Sequence, residues 1–189
     1  NPALPPLASV KVDAINVADG QVLWRRRFEN RLVNQAPVNN VLCPGGQTAA
    51  PALVQVSPGK YTVFAVSWDG RLHQINLGDG ENVAPPEKFI PGNGKPYALN
   101  YRDGVIYTAT AQGCGGLTNA FHSFDLASRR ASTFIPAGGG LWGRRGAAID
   151  AEGRVYLGTG DAMFDPGNRR LGNGIVGVKI DAKKQLQLV

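Results

Sequence analysis

Two cysteines and two scattered histidines are all this 189-residue chain holds of the commonest soft metal ligands. A zinc centre needs more donors than these readily offer, and Cys43 and Cys114 lack a CxxC spacing. No apolar run approaches the roughly 20 residues needed to span a bilayer. No cleavable signal is present, and the chain opens on Asn1 rather than Met, which leads to the expectation of a mature form or a fragment. No Ser/His/Asp order and no phosphate-cradling glycine loop occurs in a convincing context.

Hydrophobic residues make up 43% of the chain, enough for a globular core. The 25 glycines and 13 prolines fall between short apolar runs, which suits an all-β protein with many turns. The net charge is +6, and the arginines cluster at Arg25-Arg26-Arg27, Arg144-Arg145 and Arg169-Arg170. An anionic partner is one reading and a solvated basic surface the other. No groove-binding or single-strand motif accompanies the clusters, so nucleic acid is not expected as a partner.

A unit recurs along the chain. Val12-Asp-Ala-Ile-Asn-Val17, Leu72-His-Gln-Ile-Asn-Leu77, Phe121-His-Ser-Phe-Asp-Leu126 and Gly177-Val-Lys-Ile-Asp-Ala182 align on Asn16, Asn76, Asp125 and Asp181, at spacings of 60, 49 and 56 residues. A lean four-stranded propeller blade takes roughly 40–45, so the excess lies in loops. Residues 1–9 read as an extended lead-in and 10–29 as the third and fourth strands of a blade. Residues 49–90, 97–136 and 144–189 each read as a further blade, the last with its fourth strand starting at 185–189. Pro85 and Pro86 are tolerable on an outer strand. The fold class expected is therefore all-β: a β-propeller segment of four-stranded antiparallel blades, about three and a half of a larger ring. A ring needs at least four blades, so another chain or a missing segment is expected to complete it.

In a meandering blade, turns after the first and third strands share one face; the remaining loops share the other. The first face gets only short turns (18–21, 57–60, 102–104, 127–130, 151–153). The second gets the long loops: 30–48 with Cys43, 112–119 with Cys114, 137–144 with Trp142, and 161–174 with Asp161 and Asp165. Any site is expected on that second face. Cys43 and Cys114 also fall there but flank a whole blade. Either they form a disulfide, which implies an oxidising compartment, or they are independent thiols; the disulfide is the expectation.

Residues 14–24, ending Asp-Gly-Gln-Val-Leu-Trp24, and 64–77, containing Trp68-Asp-Gly70, resemble the quinoprotein (PQQ-type) propeller repeat. The resemblance covers residues 10–189 and implies architecture more than activity, because non-catalytic members such as outer-membrane assembly lipoproteins share it. Within the fourth blade, residues 138–143 (Gly-Gly-Gly-Leu-Trp-Gly) and 156–161 (Tyr-Leu-Gly-Thr-Gly-Asp) resemble PQQ-dependent alcohol dehydrogenases. That resemblance implies Trp142 under the quinone, Arg144 or Arg145 on its carboxylates, and Asp161 as an oxygen ligand to calcium or a lanthanide. The family's Trp-Asn after that turn is replaced by Phe164-Asp165-Pro166, and its adjacent-cysteine pair is absent. Packing at a blade junction for Trp142 and loop capping for Asp161 are the alternatives. Trp24 is expected to pack between blades, and His73 and His122, at equivalent repeat positions, to be hydrogen-bonded core residues.

Two functions follow as expectations. One is a periplasmic or extracellular scaffold that binds or assembles through its long-loop face. The other is a segment of a PQQ- and metal-dependent dehydrogenase.

Overall fold

Val12, Ala14, Trp24, Arg26 and Phe28 point to one side of the first hairpin, while Lys11, Asp13, Arg25 and Arg27 point to the other. This is the two-residue period of a strand. In the computed structural model, which describes residues 10–28, 43, 49–137 and 139–189, the hairpin is β1 (Val10–Ile15) and β2 (Val22–Phe28). Its turn is set by side chains: Asn16 Oδ1 accepts from the Ala18 amide and Asp19 Oδ1 from the Gln21 amide. The expected lead-in 1–9, the loop 30–48 apart from Cys43, and Gly138 lie outside the described residues.

The second sheet is a meander of β3 (Ala52–Ser57), β4 (Lys60–Val66), β5 (Arg71–Asn76) and β6 (Glu87–Lys88). Pro85 and Pro86 shorten the outer strand to two residues, supplemented by one bridge between Ile75 and Asn82. The third sheet repeats the order with β7 (Asn100–Arg102), β8 (Val105–Ala109), β9 (Phe121–Asp125) and β10 (Arg130–Phe134).

The fourth sheet begins earlier than the sequence suggests. Its first strand is split into β11 (Gly140–Trp142) and β12 (Ala148–Ile149), both paired with β13 (Val155–Gly160). Trp142 is therefore a strand residue, not part of a 137–144 loop. The break at 143–147 has a local cause. Gly146 takes φ +96°, and a Cβ there would meet the Asn100 side chain at 2.3 Å. Asn100 Oδ1 accepts from the Ala147 amide at 2.8 Å, so the neighbouring sheet holds the bulge open. The 161–174 insert folds into a hairpin of β14 (Phe164–Asp165) and β15 (Arg170–Leu171) around a single 3-10 turn, capped by Asp165. The sheet closes with β16 (Gly174–Ile180) and β17 (Leu186–Leu188).

Three apolar cores join the four sheets in chain order. Val12, Phe28, Val63, Ala65, Trp68 and Ile75 lie between the first and second. Phe64, Leu72, Phe89, Ile106 and Phe124 fill the second junction. Tyr107, Phe121, Leu141, Leu157 and Val178 fill the third. Alternate residues of one strand serve different cores: Ile106 faces the second sheet, while Val105 and Tyr107 face the fourth. Meanders packed face to face in sequence are the blade arrangement of a propeller.

Candidate functional site

The junctions are pinned at their rims as well as their cores. Trp24 donates its indole N–H to the Leu77 carbonyl at 2.7 Å, and its ring covers Gly80, where a Cβ would come within 2.7 Å. That is the inter-blade packing expected for Trp24. One ion pair also crosses each junction: Arg26–Glu81 at 2.9 Å, Arg129–Glu87 at 2.8 Å and Lys184–Asp125 at 2.7 Å.

The equivalent histidines face backwards into the first and second junctions. His122 is buried and saturated: Nε2 lies 3.1 Å from Thr110 Oγ1 and Nδ1 3.0 Å from Thr133 Oγ1. Burial alone lowers its pKa to about 4, so the ring is neutral near pH 7. His73 keeps the hydroxyl partner, Ser67 Oγ at 2.9 Å from Nε2, and stacks at a tilt on Phe28 with ring centroids 4.1 Å apart. Its pKa also falls to about 4, first through burial, with Arg26 and Arg71 adding to the fall and Asp69 and Asn82 opposing it. As placed, His73 Nδ1 and Asn82 Oδ1 are two buried acceptors without partners.

Ser67 in turn donates to Asp69 Oδ1 at 2.5 Å, and Asp69 Oδ2 is 3.3 Å from Arg71 Nε. The order Asp–Ser–His is not that of a nucleophilic triad, in which the carboxylate orients the imidazole. The chain Asn82–His73–Ser67–Asp69–Arg71 is instead a polar wall. Gly70 lets this wall turn: its φ of +80° is glycine territory, and its carbonyl accepts from both Phe89 and Ile90 amides at 3.0 Å.

Between the first and second sheets this wall borders a cleft of about 830 Å³. Arg26, Phe28, Arg71, Pro86 and Lys88 complete much of its lining. The cleft opens beside the turn at 67–70 and the end of β2, on the face where the sequence places the long loops. That face also carries the Cys43–Cys114 disulfide, with Cα atoms 5.5 Å apart across 71 residues of chain. The sequence shows Arg25-Arg26-Arg27 as one run, but only Arg26 and Arg27 line the cleft, Arg26 on the same side of the strand as Phe28. Arg25 goes to the opposite face, where it forms a two-bond pair with Asp13 at 2.7–2.8 Å.

The sequence-predicted residues of the fourth sheet do not line this cleft. Trp142 lies on the sheet's outer face, flat against Gly140 and Gly160, and is 38% exposed. Arg144 and Arg145 are exposed on the 143–147 bulge, and Arg144 acts electrostatically on Lys95 and Tyr97 of the neighbouring unit. Asp161 follows Gly160 in a left-handed conformation, φ 60°. Among the described residues no three His, Cys, Asp or Glu side chains converge as a metal site.

No family model matches the chain, and no curated protein matches it. A solved structure, BamB from Moraxella catarrhalis, aligns over 96% of this chain at 16% identity with a TM-score of 0.40. The chain spans 55% of that BamB chain's length.

Proposed function

We propose that this chain is the extracytoplasmic, partner-binding part of a propeller, a scaffold that works by adding further strands or sheets to its open ends. The observation that carries the reading is where its apolar surface remains uncovered. Sixteen large apolar side chains are exposed among the described residues, and ten belong to the two outer units. At one end these are Ile15, Val17, Val22 and Leu23; at the other, Trp142, Met163, Phe164, Ile175, Leu188 and Val189.

The two ends offer different chemistry. β1 pairs only with β2 among the described strands, so its other edge presents unpaired backbone groups, a template for strand addition. On the outer face of the fourth sheet, Trp142 and Ile175 flank Gly158 in register, with the Trp142 ring lying over Gly140 and Gly160 and the Tyr156 ring over Gly177. Inside the row, the corresponding face of the first sheet, which carries Trp24, packs on the second sheet, so this outer face is equivalent to one that meets a further sheet. The disulfide supports an oxidising location. No catalytic step is assigned, because Asp161 lacks companion ligands among the described residues.

Sedimentation of the native protein tests this. Association should be lost in Ile175→Lys, with the circular dichroism spectrum unchanged. A 20 kDa monomer with and without that substitution overturns the reading.

A further inference from the structure

The cleft between the first and second sheets carries a charge arrangement that the scaffold role does not use. Arg71 and Lys88 are directly opposite each other on β5 and β6. Like charges at opposed positions on one face repel, which is a cost to the sheet. Arg26 approaches from the facing sheet. Only Asp69 offers a carboxylate in the lining, and it is already shared by Ser67 and Arg71. Lys88 has no ion-pair partner among the described residues. Arg26 is paired with Glu81, whose side chain is 72% exposed, so that guanidinium is only weakly committed. Four cationic residues, Arg26, Arg27, Arg71 and Lys88, thus line a concavity of small-molecule size, a local conflict of the kind that marks a ligand site.

We propose that this cleft binds a small oxyanion, a carboxylate or phosphate group held by Arg26, Arg71 and Lys88 against the Ser67–His73 wall. An oxyanion removes the Arg71–Lys88 repulsion, and guanidinium groups bind such oxygens in paired, charge-assisted hydrogen bonds. The volume of about 830 Å³ limits the occupant to a small molecule or the end of a larger one. His73, 92% buried, sits beside the bound charge and reports it. An anion there favours the protonated ring, while His122 in the next junction, sealed by two threonines, does not respond.

The test is a titration of the full chain with inorganic phosphate, with citrate and with neutral glycerol, followed by the imidazole proton resonances. Saturable shifts of His73 but not His122, with phosphate or with citrate and never with glycerol, are expected. Whichever anion acts identifies the group. Lys88→Gln should weaken binding about tenfold, and Lys88→Arg should keep it. Lys88 is exposed and its replacement leaves the cores intact; unchanged thermal unfolding verifies that. No shift with either anion, or equal affinity in Lys88→Gln and the parent, overturns the proposal.

Discussion

The first and second junctions are built from the same parts and end differently. Each places a histidine three residues before the repeat's Asn or Asp anchor and sets a hydroxyl on its Nε2. In the second junction Thr133 takes the remaining nitrogen, and Phe64, Phe89, Ile106 and Phe124 close over the surroundings at 4% exposure or less. In the first, the hydroxyl passes on to Asp69 and Arg71, and the polar chain reaches an open, basic cleft. One repeat position thus serves as a sealed core in one place and as the wall of a binding concavity in the other. Its flanking residues decide which: Thr110 is followed by Ala111 and Gln112, Ser67 by Trp68 and Asp69.

The largest expected effect sharpens this contrast from the loop face. The Cys43–Cys114 bond ties the connection between the first two sheets to a loop of the third across 71 residues. Loop-closure entropy for that length gives roughly 4 kcal/mol as an upper figure. Replacing both cysteines by Ala should lower stability in urea by up to about 4 kcal/mol. The amides of β2 should then exchange faster, with the His122 resonances unmoved. Equal loosening of both junctions would contradict their independence.

Next comes the histidine pair itself. His122→Leu removes the ring partner of buried Thr110 and of exposed Thr133 and should cost about 2 kcal/mol, whereas His73→Leu leaves Ser67 bound to Asp69 and should cost about 1 kcal/mol. Acid acts on both rings, since both pKa values lie at about 4. The folded pKa of His122 is about 4, below the unfolded 6.5, so the unfolded chain binds the extra proton between those values. Its contribution is present above pH 6.5 and is lost as pH falls towards 4, by roughly 3 kcal/mol. His122→Leu should flatten the stability–pH slope in that window, measured by urea unfolding at pH 4.5 and 7. A slope that persists undiminished would show that the ring is not neutral in the folded state. Asp125 acts lower. Lys184 first, then Ser128, hold its pKa at about 2, so its contribution is lost as pH falls from 3.8.

The smallest effect concerns the rim ion pairs. Lys184→Ala leaves Asp125, only 4% exposed, with Ser128 alone and should cost about 1–2 kcal/mol. Arg129→Ala removes a partner that is 63% exposed and should change stability by less than about 0.5 kcal/mol. Comparable values from chemical denaturation would mean that the third junction is no drier than the second.

The strand repeat was legible because each blade advertises itself locally: a turn residue, an alternating apolar run and an Asn or Asp anchor. Trp24 and the histidine pair could be read from the same alignment, while the cysteine pairing was an expectation from the number of cysteines and their lack of a metal-ligand spacing. The split first strand of the fourth sheet could not, because its cause is Asn100, a side chain 47 residues away that captures the Ala147 amide. The cleft was hidden for a related reason. Alternation announces that Arg26 opposes Arg25 and Arg27, but only the packed second sheet reveals which face meets Arg71 and Lys88.

The most direct test of the central claim is hydrogen exchange at β1 in the native assembly and in the isolated chain. If the open edge is where strands are added, β1 amides not bonded to β2 should be protected in the assembly and exchange freely in the isolated chain. Free exchange in both would contradict the account.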